Sequence, residues 1–258
     1  MAVIRKIKRI DLHCHILPAI DDGAETVSDS IDLLCEEQKQ GVDSIVFTPH
    51  FNFERTNLHD FCLAREHSMQ SLNKALTQRN IDISVKLGAE VYFSVRMLDE
   101  DIEPLCFGDT NYILVEFPVN SRPYGLSRTM EDLIRRGYIP ILAHVERYPY
   151  FSENVNELYD LVMKGCLAQV NAGAIIKSHA SSLIMKYIKW EMVHIISTDC
   201  HSIKKRPPNM QEAFSIIDKR LGSNYKEWLI KNSIDVFNGR YIDMPVIKKP
   251  RKFLGKWI

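Results

Sequence analysis

Eight side chains of cation-binding type fall at or near the ends of apolar runs: His13, His15, His50, Glu90, Glu116, His144, Asp199 and His201. The first two lie in IDLHCHILPAIDDGAE, residues 10–25, where an apolar run ends in two histidines one residue apart and is followed by acidic residues. Read as a strand, residues 10–15 alternate sides, which puts His13 and His15 on one face and Cys14 on the other. Two imidazoles side by side suit a metal ion. A lone pair of this kind equally fits two hydrogen-bonded core histidines.

Position argues further than type. His50 closes the run DSIVFTPH (43–50), Glu90 closes ISVKLGAE (83–90), and Glu116 lies near the end of YILVEFP (112–118). His144 closes YIPILAH (138–144), and Asp199 and His201 close VHIISTD (193–199). In α/β barrels the C-terminal strand ends and the loops after them form one open mouth. Each residue alone has a plain reading: Glu116 a solvent-facing strand residue, His144 a buried hydrogen-bonded histidine. Together they place oxygen and nitrogen donors at successive strand ends, where an unpaired carboxylate costs several kcal/mol, on the order of the ion desolvation penalty. Cations are the simplest compensation.

A second chemistry is also spelled out. CHSIKKR, Cys200 to Arg206, has the Cys-x5-Arg spacing of cysteine-dependent tyrosine phosphatases. That mechanism needs backbone N–H groups wrapped around phosphate at a helix start. This stretch has no glycine and runs into Pro207-Pro208, so a cysteine nucleophile is not expected.

The elements that must position these residues alternate along the chain. RIDLH (9–13) and CLAQVNAG (166–173) complete a set of seven strand-like runs. Between them lie segments with helical spacing: SDSIDLLCEEQKQG (28–41), closed by Gly41, GLSRTMEDLIRRG (125–137) and ENVNELYDLVMKG (153–165). The alternation predicts a parallel α/β sheet or barrel. Residues 52–58 and 99–109 are the least regular.

With 258 residues, 45% of them hydrophobic, the chain has enough apolar surface for one domain of that kind. Lys+Arg and Asp+Glu are 33 each, so no global charge draws it to nucleic acid or an acidic membrane. No long apolar run follows MAVIRKIKRI, so neither a signal peptide nor a membrane span is expected. Six cysteines without CxxC spacing then predict reduced thiols and a cytoplasmic protein.

The segments HCH (13–15), TPH (48–50), GAE (88–90), VEFP (115–118), AHVERY (143–148) and STDCH (197–201), in this order, resemble the PHP superfamily of metal-dependent phosphoesterases. HILPAIDDGA (15–24), QVNAGA (169–174) and RPPNM (206–210) are similar to its bacterial tyrosine-protein phosphatases of capsule and exopolysaccharide operons. The resemblance implies a single-domain, distorted (β/α)7 barrel at residues 10–240, between an N-terminal extension (1–9) and a basic tail (241–258). It implies up to three divalent ions, manganese for activity with iron or zinc as alternatives, held by the eight residues above, with Glu90 bridging. Asp22 and Arg147 match pocket residues that serve proton transfer and the phosphoryl group. Val145 stands where the family often has proline. The implied activity is hydrolysis of phosphotyrosine by hydroxide from a cation-acidified water, on a phosphotyrosine-bearing protein such as a bacterial tyrosine kinase. A PHP phosphatase for histidinol phosphate or a sugar phosphate, and a non-catalytic metal-binding regulatory domain, are the alternatives. The tail IKKPRKFLGKWI (247–258) has five basic residues and suits weak contact with an anionic membrane surface or acidic partner; a solvated or barrel-packed segment is the simpler reading.

Overall fold

A computed structural model describes residues 9–243, 247, 249–253 and 256–257. The extension at 1–8 and tail residues 244–246, 248, 254, 255 and 258 lie outside the described residues. The chain begins with β1 (Arg9–Cys14), α1 (Val27–Lys39), β2 (Val42–Phe47), β3 (His50–Phe51), α2 (Leu58–Arg79), β4 (Ser84–Leu87) and β5 (Glu90–Tyr92). Next come β6 (Tyr112–Glu116), α3 (Leu126–Arg135), β7 (Ile139–Leu142), α4 (Pro149–Glu153), α5 (Val155–Met163) and β8 (Leu167–Asn171). The last barrel elements are α6 (Ala172–Ile176), α7 (Ser178–Lys189), β9 (Ile195–Ser197), α8 (Met210–Leu221) and α9 (Ser223–Phe237).

Local chemistry starts and stops the helices. Thr26 caps α1 in a reciprocal box with Asp29. Asn57 caps α2, which ends at Asn80 in the left-handed region at φ 52°. The helix expected within 153–165 is α5, and a short helix α4, opening on Pro149, precedes it.

All pairings among β1–β9 are parallel. One sheet has the order β1-β2-β4 and the other β3-β5-β6-β7-β8-β9. Two of the expected runs are therefore broken where they change sheet. Pro49, which lacks an N–H, separates β2 from β3. Gly88 separates β4 from β5, and a Cβ there would meet the Phe107 ring at 2.8 Å. A bridge between Cys14 and Cys200 returns the end of β9 to β1, through His15 N–H to the Cys200 carbonyl (2.9 Å) and Asp199 N–H to the His13 carbonyl (2.8 Å). The result is a curled parallel sheet with helices outside, the distorted barrel that the resemblance implied.

Except for the edge strand β4, the strands are largely buried on both faces, as parallel strands under helices must be. Their inward side chains, Ile10, Leu12, Val46, Leu114, Ile141, Leu167 and Ile195, pack into one interior cluster closed by Val236 and Ile242. Outward ones such as Phe47, Val115, Leu142, Val170 and Ile196 join the larger layer beneath the helices. This interior cluster is the floor on which the polar mouth stands.

Strict alternation in β1 fails at one point. Asp11 and Cys14 both face outward, so the chain reverses sides between Leu12 and His13, where the pairing with β2 is irregular. In the tail, β10 (Lys252–Phe253) and β11 (Lys256–Trp257) pair antiparallel, and Lys186 Nζ reaches the Trp257 carbonyl at 2.7 Å. Among the described residues no helix is long and apolar enough to cross a membrane.

Candidate metal centre

Sheet register delivers most of the donors. His50 pairs with Glu90 and Glu90 with Leu114, whose side chain is in the interior cluster, so all three point inward on one level. One step toward the mouth, Tyr92 pairs with Glu116. Asp199 follows the inward Ile195 and Ser197 by alternation, at φ 53°. His144 would face outward after Leu142; a left-handed backbone at φ 32° turns it into the mouth.

All eight expected residues meet there. Glu90 Oε2 lies 3.2 Å from His13 Nε2, 3.2 Å from His15 Nε2 and 3.0 Å from His50 Nδ1. Glu90 Oε1 is 2.8 Å from His144 Nε2. Asp199 Oδ1 is 3.5 Å from Nε2 of both His13 and His15 and 3.6 Å from His201 Nδ1. Glu116 stands 3.7 Å from His144 and 3.9 Å from His50. Asp22, exposed at the rim, puts Oδ1 3.3 Å from His50 Nε2 and 3.4 Å from His201 Nε2.

Several partners were not anticipated. His13 Nδ1 faces Gln169 Oε1 (3.1 Å), His15 Nδ1 faces Asp21 Oδ2 (2.7 Å) and His201 Nδ1 faces the Asp199 carbonyl (3.0 Å). Oxygen acceptors hold a proton on each Nδ1, which leaves the Nε2 lone pairs of His13 and His15 for the shared cavity, while that of His201 faces Arg206. The Tyr148 hydroxyl, 3.1 Å from His144 Nδ1, also receives the Phe117 N–H. Gln169 donates to Asn171 Oδ1, and Asn171 donates to Asp199 Oδ2. Arg147 Nη2 donates to the same Oδ2 at 2.6 Å. Arg206 also donates to it, and to His201 Nε2. A signal for two of these was present: Gln169 and Asn171 are polar at alternate positions of an otherwise apolar strand.

Electrostatics and satisfaction both call for cations. Glu90 Oε2 and Asp199 Oδ1 are buried without a hydrogen-bond partner, although imidazole lone pairs surround them. Burial raises both carboxyls; without metal the charge of protonated imidazoles, His13 foremost, reverses this and holds them well below the ordinary range, a role a divalent ion would take over from neutral imidazoles. Burial and then the Glu90 charge push Glu116 up to about 7. Buried like charges with oxygens unpaired fit divalent ions. The donor atoms fall into overlapping groups around His13–His15–Glu90, His13–His144–Asp199, His50–Glu90–Glu116 and His15–Asp22–His50–His201.

Cys200 faces the other way. It is fully buried, with Sγ 3.6 Å from Glu37 Oε1 behind the strands, and its segment forms a tight Ser202–Arg206 turn instead of a helix start. All six cysteines are free thiols.

A family model for capsular polysaccharide synthesis proteins, CpsB/CapC, matches residues 9–238. Tyrosine-protein phosphatase YwqE of Bacillus subtilis is 34% identical over 253 residues, spanning 95% of this chain and 99% of its own. Tyrosine-protein phosphatase CpsB of Streptococcus pneumoniae is 29% identical over 240 residues, spanning 86% and 96%. A crystal structure from work on YwqE and CpsB, described as unique metal-dependent tyrosine phosphatases, superposes with a TM-score of 0.87 at 30% identity, over 94% of this chain and 100% of the other. The histidinol phosphate phosphatase of Lactococcus lactis shares the fold, with a TM-score of 0.53 at 17% identity over 82% and 93% of the chains. The barrel, the convergent donor set and the match over residues 9–238 make this chain a member of the CpsB/CapC family of capsular polysaccharide synthesis proteins.

Proposed function

We propose that the chain is a metal-dependent protein-tyrosine phosphatase, a phosphoric monoester hydrolase acting in the cytoplasm on a bacterial tyrosine kinase of capsule or exopolysaccharide synthesis. The observation that carries this reading is the pair of unpartnered buried oxygens, Glu90 Oε2 and Asp199 Oδ1, ringed by imidazoles beside Arg147. That YwqE and CpsB bear the name tyrosine-protein phosphatase and match this chain nearly end to end supports the substrate class.

His13, His15, His50, Glu90, Glu116, His144, Asp199 and His201 would hold up to three divalent ions, with Glu90 shared between them. Imidazole and carboxylate donors without thiolate suit manganese, iron or zinc, and the family resemblance favours manganese. When bound, such ions supply positive charge to the phosphoryl oxygens and lower the pKa of a water toward ~7.

The chain's own groups do the rest. Arg147, anchored by Asp199, has further N–H donors for a fork on two phosphoryl oxygens. Arg206, anchored on the same carboxylate, adds positive charge from its other side. A tyrosine leaving group has a pKa near ~10, so its departure needs less protonation than a serine alkoxide would. Asp22, expected as proton donor, has one oxygen set between two imidazoles. That geometry would let Asp22 share an ion with His50 and His201, in which case water would protonate the phenolate; free of an ion, Asp22 remains the candidate proton donor. The catalytic unit is residues 10–240.

The test compares substrates. Protein stripped with chelator and resupplied with manganese is expected to release phosphate from a phosphotyrosine peptide far faster than from histidinol phosphate. The reverse ratio would assign the site to small phosphomonoesters.

A further inference from the structure

Beside the metal centre, on the Asp199 side, the mouth opens into a cleft of about 410 Å3. One wall is the end of β8 with α6, from Asn171 to Lys177, and the other is the turn from Lys205 to Asn209. Glu146, Arg147 and Asp199 lie along it toward the donor cluster.

Its charges are uneven. Arg147 and Arg206 are committed to Asp199, but the exposed ammonium groups of Lys177 and Lys205 have no carboxylate partner among the described residues. Both lysines are carried on fixed backbone. The Ser202–Arg206 turn is closed by hydrogen bonds between those two residues and from His201 N–H to the Arg206 carbonyl. Lys177 N–H bonds back to the Gly173 carbonyl, closing α6. The two walls approach closely: a Cβ on Gly173 would lie 3.1 Å from Asn209 Nδ2. The lining thus offers cations at the rim for acidic side chains beside a bound phosphotyrosine.

We infer that this cleft is a subsite for the polypeptide beside the phosphotyrosine, and that Lys177 and Lys205 select substrates with Asp or Glu next to the modified residue. The inference rests on the phosphotyrosine reading and adds sequence selectivity to it. Rim ion pairs are individually weak and salt-sensitive, so the effect is one of preference.

The experiment uses the full chain with manganese and three substrates: a phosphotyrosine peptide with flanking glutamates, the same peptide with glutamines, and p-nitrophenyl phosphate, which has no flanks. Wild type is expected to favour the acidic peptide in kcat/KM by about fivefold or more at low salt, the preference shrinking at high salt. The double variant Lys177→Glu, Lys205→Glu should lose or invert that preference and keep its rate on p-nitrophenyl phosphate; Lys177→Gln, Lys205→Gln should abolish it without inversion. Equal wild-type rates on the two peptides overturn the inference, as does an equal loss on all three substrates in the glutamine variant. Failure of wild type on both peptides, with p-nitrophenyl phosphate still cleaved, would sink the phosphotyrosine reading itself.

Discussion

Glu116→Gln should move stability in opposite directions with and without metal. Glu116 is mostly buried, its side chain 20% exposed, with Glu90 as its charged neighbour and His144 at 3.7 Å. Burial first and Glu90 second raise its carboxyl from 4.5 to about 7. A carboxyl raised in the folded state binds its proton more tightly there than in the unfolded chain. Metal-free stability is therefore lost as pH rises from 4.5 through about 7, and the full penalty applies above that. At 1.36 kcal/mol per pH unit the shift corresponds to roughly 3 kcal/mol, and solvent screening of a partly exposed group lowers this to about 2. Chelator-treated Glu116→Gln should melt about 4–8 °C above chelator-treated wild type at pH 8, with no difference near pH 4.5. With manganese the order should reverse or narrow: each tenfold loss of ion affinity removes about 1.4 kcal/mol of ligand stabilisation. Scanning calorimetry of both proteins, with chelator and with manganese, reads all four values. A metal-free variant less stable than wild type at pH 8, or an unchanged manganese-induced shift, would refute the assignment of Glu116 as a ligand kept at a stability cost.

Other outcomes follow from single contacts. Arg147→Lys keeps the charge but loses the fork, and kcat/KM on a phosphotyrosine peptide should fall about tenfold to a hundredfold; an unchanged value would remove Arg147 from the phosphoryl group. Cys200→Ser should keep nearly full activity, because the thiol faces Glu37 behind the strands; inactivation with metal content intact would restore a thiolate mechanism. Burial depresses His194 to about 3 against 6.5 unfolded, so the unfolded chain alone takes up a proton as pH falls below 6.5. That destabilises the fold by about 2 kcal/mol at pH 5. Denaturant titrations of wild type should show this loss in excess of His194→Gln, and parallel pH curves would exclude His194 as its source.

The strand ends were legible because His, Glu or Asp closes one apolar run after another, a joint placement that packing alone does not explain. Register explains why the side chains then meet: Glu90 and Glu116 follow the inward alternation of β5 and β6. His13 and His144 reach the mouth for a less general reason. One needs the irregularity after Leu12, the other a positive φ, and neither departure is marked by glycine or proline at the residue itself. The breaks at Pro49 and Gly88 were legible as residues but not as changes of sheet, which only the second partner strand reveals. Asp21, Gln169, Asn171 and Arg206 sat inside segments already singled out, yet their part depends on which imidazole nitrogen or carboxylate oxygen they meet. Spacing along the chain does not carry that information.

Manganese binding by chelator-stripped protein, followed calorimetrically while phosphate release from a phosphotyrosine peptide is measured on the same samples, probes the cluster most directly. More than one ion per chain should bind, and activity should rise with occupancy from a metal-free baseline near zero. Full activity in protein shown by elemental analysis to hold no metal, or no manganese uptake at all, would contradict the caged-cation mechanism.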